Sequence, residues 1–365
     1  MSTLNDIIIL GGGLMGLSLA IELKLRGANV TILSRNRQES AGMAAAGMLA
    51  PQAEAIAPGP MLDLCLKSRN LYPDWTSKLE AITGLNTGYW PCGILAPVYH
   101  IPESTTSNLS DETPTQWLDK AAIHRHQPGL GSEVVGGWWF PQDGQVDNRR
   151  GLMQALVVAA QELGVNIQNH IEIQQILTSS TGEVIGIQTS QDTLKRSHYV
   201  LTAGAWASQL LPQIPVYPKK GQMLSVKVPD TIKTLPLQQV LFGPDIYIVP
   251  RRDGLIVIGA TVENVDFTDG LTVDGIHTLL SRAIQLYPEL RQFSLQDCWW
   301  GFRPATPDLL PILGPSPFVN LSLAVGHYRN GILLAPITAK IMANWILEEK
   351  SDPLLKSFCW SRFSS

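Results

Sequence analysis

The chain has 365 residues, which is long for one compact core and predicts two domains or one large domain with an insertion. Apolar residues make up 45% of the chain and charged residues 16%, a balance that excludes wholesale disorder. The formal net charge is −4 and no stretch is dense in Lys or Arg, which argues against nucleic acid and anionic membranes as partners.

The N-terminal part of the chain predicts a buried strand, a tight turn, a helix and a second parallel strand. Residues 7–10 form a continuous apolar run, as expected for a strand that is buried on both faces. A glycine-rich turn follows, then a helix over residues 14–25 and a strand over 29–33. The apolar run is interrupted by glycines and charges and has no basic segment before it, so we expect neither a secretory signal nor a membrane span.

Further along the chain, α/β units alternate with segments of a different kind. Asp147 is a candidate N-cap for a helix over 152–163, and strands are expected at 165–167, 199–203 and 321–325. The last strand leads into a helix from about 334 to 347, with Pro336 in its first turn. Residues 245–250 and 255–260 predict a β-hairpin, and residues 103–116, rich in Ser, Thr, Pro and acids, predict a solvated excursion.

These patterns predict an α/β fold in which a discontinuous, Rossmann-like nucleotide-binding domain carries an inserted α+β substrate domain built on an antiparallel sheet. We expect residues 1–85, 146–215 and 305–365 in the first domain, and 86–145 and 216–304 in the second. The four cysteines are scattered and no histidine has metal-ligand spacing, so no disulfide framework and no metal are expected. Isolated thiols fit the reducing cytoplasm.

Gly11, Gly13 and Gly16 form a G-x-G-x-x-G pattern directly after the first strand and at the start of a helix. This context indicates dinucleotide binding, because the helix N-terminus offers free N–H groups to a pyrophosphate. The acidic residue expected at the end of the second strand is replaced by Ser34 and Arg35. On the residues alone, that pair leaves an NADP-dependent reductase open as an alternative.

Five further stretches resemble the D-amino-acid oxidase superfamily of FAD enzymes, and most closely the bacterial glycine oxidases of thiamine biosynthesis. The stretches are AAAGMLAP (44–51), TAGAWAS (202–208), YIVPRRDGLIVIGAT (247–261), GFRPATPDLLPILG (301–314) and GHYRNGILLAP (326–336). The resemblance implies non-covalent FAD, with contacts from residues of the glycine-rich turn, the ribose end and two flavin loops: Gly11, Gly13, Leu14, Met15, Gly16, Ser34, Arg35, Ala41, Gly42, Ala46, Gly47, Met48, Ile173, Gly204, His327, Tyr328, Arg329, Asn330, Gly331, Ile332 and Leu333.

The resemblance also implies a small amino acid as substrate and dioxygen as the electron acceptor. Arg303, flanked by Trp299, Trp300 and Phe302, is the expected carboxylate-binding residue, because a guanidinium can grip a carboxylate with two parallel hydrogen bonds. Tyr247 and Arg329 match further substrate-binding positions of the family, and Met48 and Val262 are expected to line the cavity. Val262 replaces the methionine expected in a close glycine oxidase. His327 lies in a flavin loop, but a lone histidine is more often structural.

The family reaction implied here is hydride transfer from the substrate Cα to flavin N5, which converts glycine, dioxygen and water to glyoxylate, ammonia and hydrogen peroxide. The alternatives are an FAD-dependent D-amino-acid or sarcosine oxidase, or a dehydrogenase that uses another acceptor. The resemblance further implies a cytoplasmic homo-oligomer, as a homotetramer.

Overall fold

The computed structural model describes residues 6–103 and 114–363, so most of the excursion predicted at 103–116 lies outside the described residues. The helices are Leu14–Leu25 (α1), Ala41–Ala44 (α2), Pro60–Thr83 (α3), Lys120–His126 (α4), Met153–Glu162 (α5), Ala207–Leu210 (α6), Val273–Leu286 (α7), Gly331–Glu348 (α8) and Leu355–Phe358 (α9). The strands are Asp6–Leu10 (β1), Asn29–Ser34 (β2), Met48–Leu49 (β3), Ile94–Val98 (β4), Gln116–Asp119 (β5), Gly136–Phe140 (β6), Gly144–Gln145 (β7), Asn166–Asn169 (β8), Ile173–Thr178 (β9), Val184–Thr189 (β10), Thr193–Leu194 (β11), His198–Leu201 (β12), Tyr217–Lys227 (β13), Val240–Gly243 (β14), Ile246–Pro250 (β15), Leu255–Gly259 (β16), Ser294–Ala305 (β17), Ile312–Pro315 (β18) and Leu321–Val325 (β19).

A six-stranded sheet contains the glycine-rich turn at the end of its strand β1. Its order is β18-β19-β12-β1-β2-β8, and its pairs are parallel except for β18 with β19. The apolar residues 7–10 are fully buried, as a central parallel strand with both faces covered requires. The predicted Rossmann-like sheet is therefore confirmed.

An eight-stranded sheet of order β17-β13-β16-β15-β14-β4-β6-β5 forms the second layer. Its pairs are antiparallel except for β14 with β4, and the predicted hairpin is the β15–β16 pair, with Gly254 at a φ of +83° in its turn. The first sheet draws its strands from the ranges predicted for the nucleotide domain, and the second from the inserted ranges, ending at Ala305. The domain boundaries themselves stay a prediction.

Asp147 lies at the N-cap position that was predicted, but its side chain makes no capping hydrogen bond. A π-helical turn, Asn148–Leu152, precedes α5, and the Asp147 side chain does not cap it. Its carboxylate instead lies 2.5 Å from the guanidinium of Arg150 and 3.5 Å from that of Arg251. The local pattern of a polar residue before an apolar repeat could not reveal the pairing with Arg251, which lies far along the chain.

The helix α8 begins at Gly331, a turn earlier than predicted, so the prediction that Pro336 lies in its first turn was wrong. Proline has no N–H for the carbonyl of Ile332, four residues before it. The hydroxyl of Tyr72 in α3 donates to that carbonyl, and the Ser68 hydroxyl donates to the next one, of Leu333, at 2.5 Å. The neighbouring helix thus satisfies the acceptors that proline leaves free, and α8 can start beside the nucleotide turn.

The helix α8 is also long and apolar enough to cross a membrane, but 67% of it is buried inside the molecule. It packs on α1 and α3. These contacts are those of a core helix.

Candidate functional site

The glycine-rich turn brings three backbone segments closer together than side chains would allow. A Cβ on Gly16 would lie 1.9 Å from the carbonyl oxygen of Gly11, and one on Gly11 would lie 2.6 Å from that of Thr202. Gly11 has a φ of +125°, which favours glycine. The helix α1 starts directly after Gly13 with no side-chain cap, so its first N–H groups face the turn.

A large cavity runs from this turn to the eight-stranded sheet, and we call it the inner cavity. The predicted residues that line it are Gly11, Gly13, Leu14, Met15, Ser34, Arg35, Ala41, Gly42, Ala46, Gly47, Met48, Ile173, Gly204, Tyr247, Arg303, His327, Tyr328, Arg329, Gly331 and Ile332. The cofactor and substrate residues inferred from separate motifs therefore meet in one place.

Four of the predicted residues lie outside the lining of the inner cavity. Gly16 packs against the carbonyl of Gly11 within the turn, and Leu333 is buried in the core. Asn330 caps the start of α8 through its carbonyl, which accepts a hydrogen bond from the amide of Leu334 at 2.8 Å. Val262 lines an adjoining outer cavity and is 49% exposed.

Ser40 provides a test of whether the inner cavity fits a dinucleotide. Its hydroxyl oxygen is buried and has no hydrogen-bond partner among the described residues, although it lines the cavity. Its Cβ lies 3.3 Å from the position of a Cβ on Gly13, so the hydroxyl stands beside the glycine-rich turn. A pyrophosphate oxygen there would satisfy both the orphaned hydroxyl and the free N–H groups of α1, so the residues fit the group.

The ribose end of the cavity is built without an acid on strand β2. Ser34 is buried beside Gly12, where an added Cβ would lie 2.7 Å from the serine Cβ. Arg35 is already engaged, because it forms an ion pair of 2.6 Å with Glu39 and its guanidinium lies 5.0 Å from the ring centre of Trp206. Glu39 and Trp206 also line the cavity, and the sequence analysis did not identify either of them.

The loop of residues 41–48 is held by side chains from three distant segments. The Asn148 amide donates to the carbonyl of Gly42, and the Trp299 indole N–H donates to that of Ala44 at 2.9 Å. The guanidinium of Arg251, which is buried, donates to the carbonyl of Ala46 at 2.5 Å. This small-residue loop is therefore fixed against the cavity.

Arg303 is held at the end of the cavity that faces the eight-stranded sheet. Its Nη1 atom donates to the carbonyls of Thr261 at 3.1 Å and Lys220 at 3.3 Å. The guanidinium occupies the space above Gly221, where a Cβ would lie 2.3 Å from Nη1. With Nη1 engaged on the backbone, the guanidinium also lies within hydrogen-bonding reach of the Tyr247 phenol, so the two side chains form one polar cluster that can bind a ligand carboxylate.

Tyr247 lines the same end of the inner cavity. Burial raises the pKa of its phenol, while the positive charges of Arg303 and Arg329 lower it. Because the pKa stays above its usual value, the phenol keeps its proton at neutral pH and can donate a hydrogen bond. Its ring packs on Gly259, where a Cβ would lie 2.6 Å away.

His327 is structural in this arrangement. It is buried, and its Nε2 atom lies 3.2 Å from the hydroxyl of Thr338. Burial lowers the pKa of its imidazole to about 3, so the ring is neutral. Arg329 and Gly331, in the same loop, line the cavity at the start of α8.

Glu54 is a charged residue of the site that the sequence analysis missed. It lines both the inner and the outer cavity, as do Tyr247 and Arg329. A glutamate in a loop after a small-residue run carries no local signal of such a position. Within the described ranges, no group of three His, Cys, Asp or Glu side chains is arranged to hold a metal ion.

Comparisons with known proteins identify the family of this chain. Residues 6–345 match the model of the family described as FAD dependent oxidoreductase. The chain is 58% identical over 362 residues to the bifunctional protein ThiO/ThiG of Trichormus variabilis, covering 98% of this chain and 55% of that protein. The chain thus spans about half the length of this relative.

A second relative is similar over its whole length. The chain is 33% identical over 377 residues to the glycine oxidase of Geobacillus kaustophilus, covering 98% of this chain and 97% of the relative. It also resembles a crystal structure of glycine oxidase from Geobacillus kaustophilus, with a TM-score of 0.88, 32% identity and 98% of each chain covered.

Proposed function

We propose that this chain, which belongs to the FAD dependent oxidoreductase family, is an oxidase of small amino acids with glycine as its substrate. The observation that carries the proposal is that Arg303 and Tyr247 line the same cavity as the dinucleotide turn. The similarity to a glycine oxidase over the full chain supports it. An NADP-dependent reductase is excluded as the main activity, because the family uses FAD.

The residues of the inner cavity divide along the length of an FAD molecule. The glycine-rich turn and Ser40 would hold the pyrophosphate, and Ser34, with the Arg35–Glu39 pair and Trp206, the adenosine half. The loop of residues 41–48 and the start of α8 would hold the isoalloxazine ring, with the helix N-terminus favouring negative charge at the pyrimidine side. When bound, FAD supplies the redox chemistry, as acceptor of the substrate hydride and donor of electrons to dioxygen.

The protein's own task is to hold the substrate in one orientation. The forked guanidinium of Arg303 grips the carboxylate, and the Tyr247 phenol donates to the same group. Both side chains lie in a partly desolvated site, where charge-assisted hydrogen bonds are strong. Met48 and Arg329 line the same cavity and would complete the walls around the substrate. The overall conversion is glycine, dioxygen and water to glyoxylate, ammonia and hydrogen peroxide, which would supply the thiazole branch of thiamine biosynthesis.

A second candidate, oxidation of sarcosine or small D-amino acids, is favoured by the position of Val262. This residue is 49% exposed in the outer cavity and does not close over the inner one. A substrate with a methyl group on its nitrogen or Cα would therefore meet less steric exclusion than a closed pocket imposes.

Purified protein should be yellow and should release hydrogen peroxide in air with one member of a panel of glycine, sarcosine, D-alanine and D-proline. We expect glycine to give the highest kcat/KM. A flavin that amino acids reduce without peroxide formation would identify a dehydrogenase. A colourless protein, or a flavin that no panel member reduces, would contradict the proposal.

Two further parts of the proposal rest on the family resemblance alone. We expect a homotetramer, which light scattering of the purified protein would test, and a cytoplasmic location, which fractionation of the source cells would test.

A further inference from the structure

An amino acid carries an ammonium group beside its carboxylate, and Arg303 and Tyr247 provide for the carboxylate alone. We propose that the Glu54 carboxylate is a further substrate-binding group, which holds the substrate's ammonium and accepts its proton. This inference rests on the proposed function, because it assumes that an amino acid enters the inner cavity. Glu54 is the charged residue at the junction of the two cavities that has no part in holding the cofactor or the carboxylate.

The fold fixes the backbone that leads into Glu54. Its amide donates to the carbonyl of Ala50 at 3.0 Å. The amides of Gln52 and Ala53 donate to the buried Asp143 carboxylate at 3.2 and 2.9 Å. Asp143 is in turn paired with Arg69 at 2.7 Å, a pair that is almost fully buried. The loop is therefore anchored just before the residue that faces the cavity.

The position of Glu54 complements the two arginines of the site. It lines the inner cavity together with Arg303, and it shares the lining of both cavities with Tyr247 and Arg329. A zwitterion has its positive and negative groups on adjacent atoms. Positive charge from Arg303 and negative charge from Glu54 in one cavity would therefore orient the substrate and disfavour simple acids that lack an amine.

Burial brings the titration of the Glu54 carboxyl near neutral pH. Burial raises the pKa of its carboxyl to about 7, with the positive charges of Arg329 and Arg303 opposing the shift and Asp143 adding to it. The carboxylate in turn adds to the rise in pKa of the Tyr247 phenol and of the Cys65 thiol. A carboxyl of this kind exchanges a proton easily over the physiological range.

The proton transfer balances without any further reactant. One N–H bond of the ammonium breaks, one O–H bond forms on Glu54, and the electron pair stays on nitrogen. The product is a neutral amine beside a neutral carboxylic acid. The free nitrogen pair then assists departure of hydride from Cα, because it forms a C=N bond to Cα and takes up the positive charge that develops there.

The test compares Glu54→Gln with a matched control, Asp245→Asn. Both changes remove one carboxylate from the lining of the outer cavity. Asp245 has a φ of +56°, which asparagine also tolerates. Flavin absorbance and far-UV circular dichroism of both holoenzymes should match the wild type, since glutamine is nearly isosteric with glutamate.

For the wild type and the control, kcat/KM for glycine should rise with pH through about 7, the pKa of the Glu54 carboxyl, because the ionised form binds the ammonium. In Glu54→Gln this rise near pH 7 should be absent, and kcat/KM should instead rise only as the substrate's own ammonium loses its proton. At pH 8 the variant should lose about tenfold in kcat/KM, the scale of one charge-assisted hydrogen bond.

Glycolate, a carboxylate with a neutral hydroxyl in place of the amine, separates an ammonium role from a structural one. Its affinity, followed by the flavin spectrum, should be at least as high in Glu54→Gln as in the wild type. The inference is overturned if Glu54→Gln loses affinity for glycine and glycolate equally, or if its kcat/KM still rises with pH through about 7. In either case, continued oxidation of glycine by the variant would uphold the proposed function. A wild type that oxidises no amino acid contradicts the proposed function first, and the inference with it.

Discussion

At the scale of single residues, the site depends on side chains that the backbone holds in one position. The Arg303 guanidinium donates to two main-chain carbonyls, and Gly221 leaves the space that it occupies. Gly259 does the same for the ring of Tyr247. Each glycine makes room for a side chain that is far from it in the sequence, so its role is visible only in the folded chain.

Replacing Arg303 with lysine should reduce kcat/KM for glycine by about 10- to 150-fold, a loss of about 1.5–3 kcal/mol in transition-state stabilisation. Lysine keeps the charge but loses the fork that matches a carboxylate. Flavin content should stay unchanged, and Arg252→Lys, on the exposed hairpin turn, serves as the matched control. If the two variants turn glycine over equally well, Arg303 is not the carboxylate anchor.

The sequence identified these residues unequally, and the difference has a physical cause. Arg303 and Tyr247 lie in motifs that resemble a known family, and so they were expected. Ser40 and Glu54 lie in loops, where their composition gives no sign of burial. Only the folded structure shows that Ser40 has a buried hydroxyl without a partner among the described residues and that Glu54 lies where the two cavities meet.

At the scale of elements, the start of α8 decides the shape of the flavin end. The helix begins at Gly331, and Pro336 leaves the Ile332 carbonyl without its usual partner. The hydroxyl of Tyr72 donates to that carbonyl, and burial raises its pKa well above the ordinary value, so it keeps its proton. The periodicity predicted the helix but not its first turn, because the donor that satisfies the Ile332 carbonyl comes from α3.

Replacing Tyr72 with phenylalanine should lower the free energy of unfolding by about 1–3 kcal/mol, because a buried carbonyl loses its donor. Thermal unfolding of the holoenzyme would measure the change. Tyr89→Phe is the control, because its ring stacks on Tyr72 with centroids 5.9 Å apart. Equal destabilisation by both variants would show that the loss of any phenol hydroxyl in this pair, and not the bond to the Ile332 carbonyl, is responsible.

At the scale of the whole molecule, the two large sheets are joined at the loop of residues 41–48, which lines the inner cavity. The indole N–H of Trp299, in strand β17 of the eight-stranded sheet, donates to the carbonyl of Ala44. The guanidinium carbon of Arg149 lies 4.2 Å from the centre of that indole ring. The sequence predicted the first layer from alternating strand and helix patterns, and the second from the strand-like runs of the hairpin between them. It could not predict this joint, since the contacting residues are 255 positions apart.

Replacing Trp299 with phenylalanine should raise the dissociation constant of FAD about fivefold, because the Ala44 carbonyl loses a hydrogen bond worth about 1 kcal/mol. Flavin fluorescence on dilution would report the change. Trp300→Phe is the matched control, since its ring packs on Phe302 at 5.2 Å. If Trp300→Phe raises the dissociation constant of FAD more than Trp299→Phe does, the hydrogen bond from Trp299 to the Ala44 carbonyl is not what holds the loop for FAD binding.

The most direct test of the account is the visible spectrum of the purified protein, titrated with glycine without oxygen. We predict a yellow flavin whose absorbance is lost as glycine is added and returns when air is admitted, with one equivalent of hydrogen peroxide per flavin. A spectrum with no flavin, or one that glycine leaves unchanged while the protein remains folded, would contradict it.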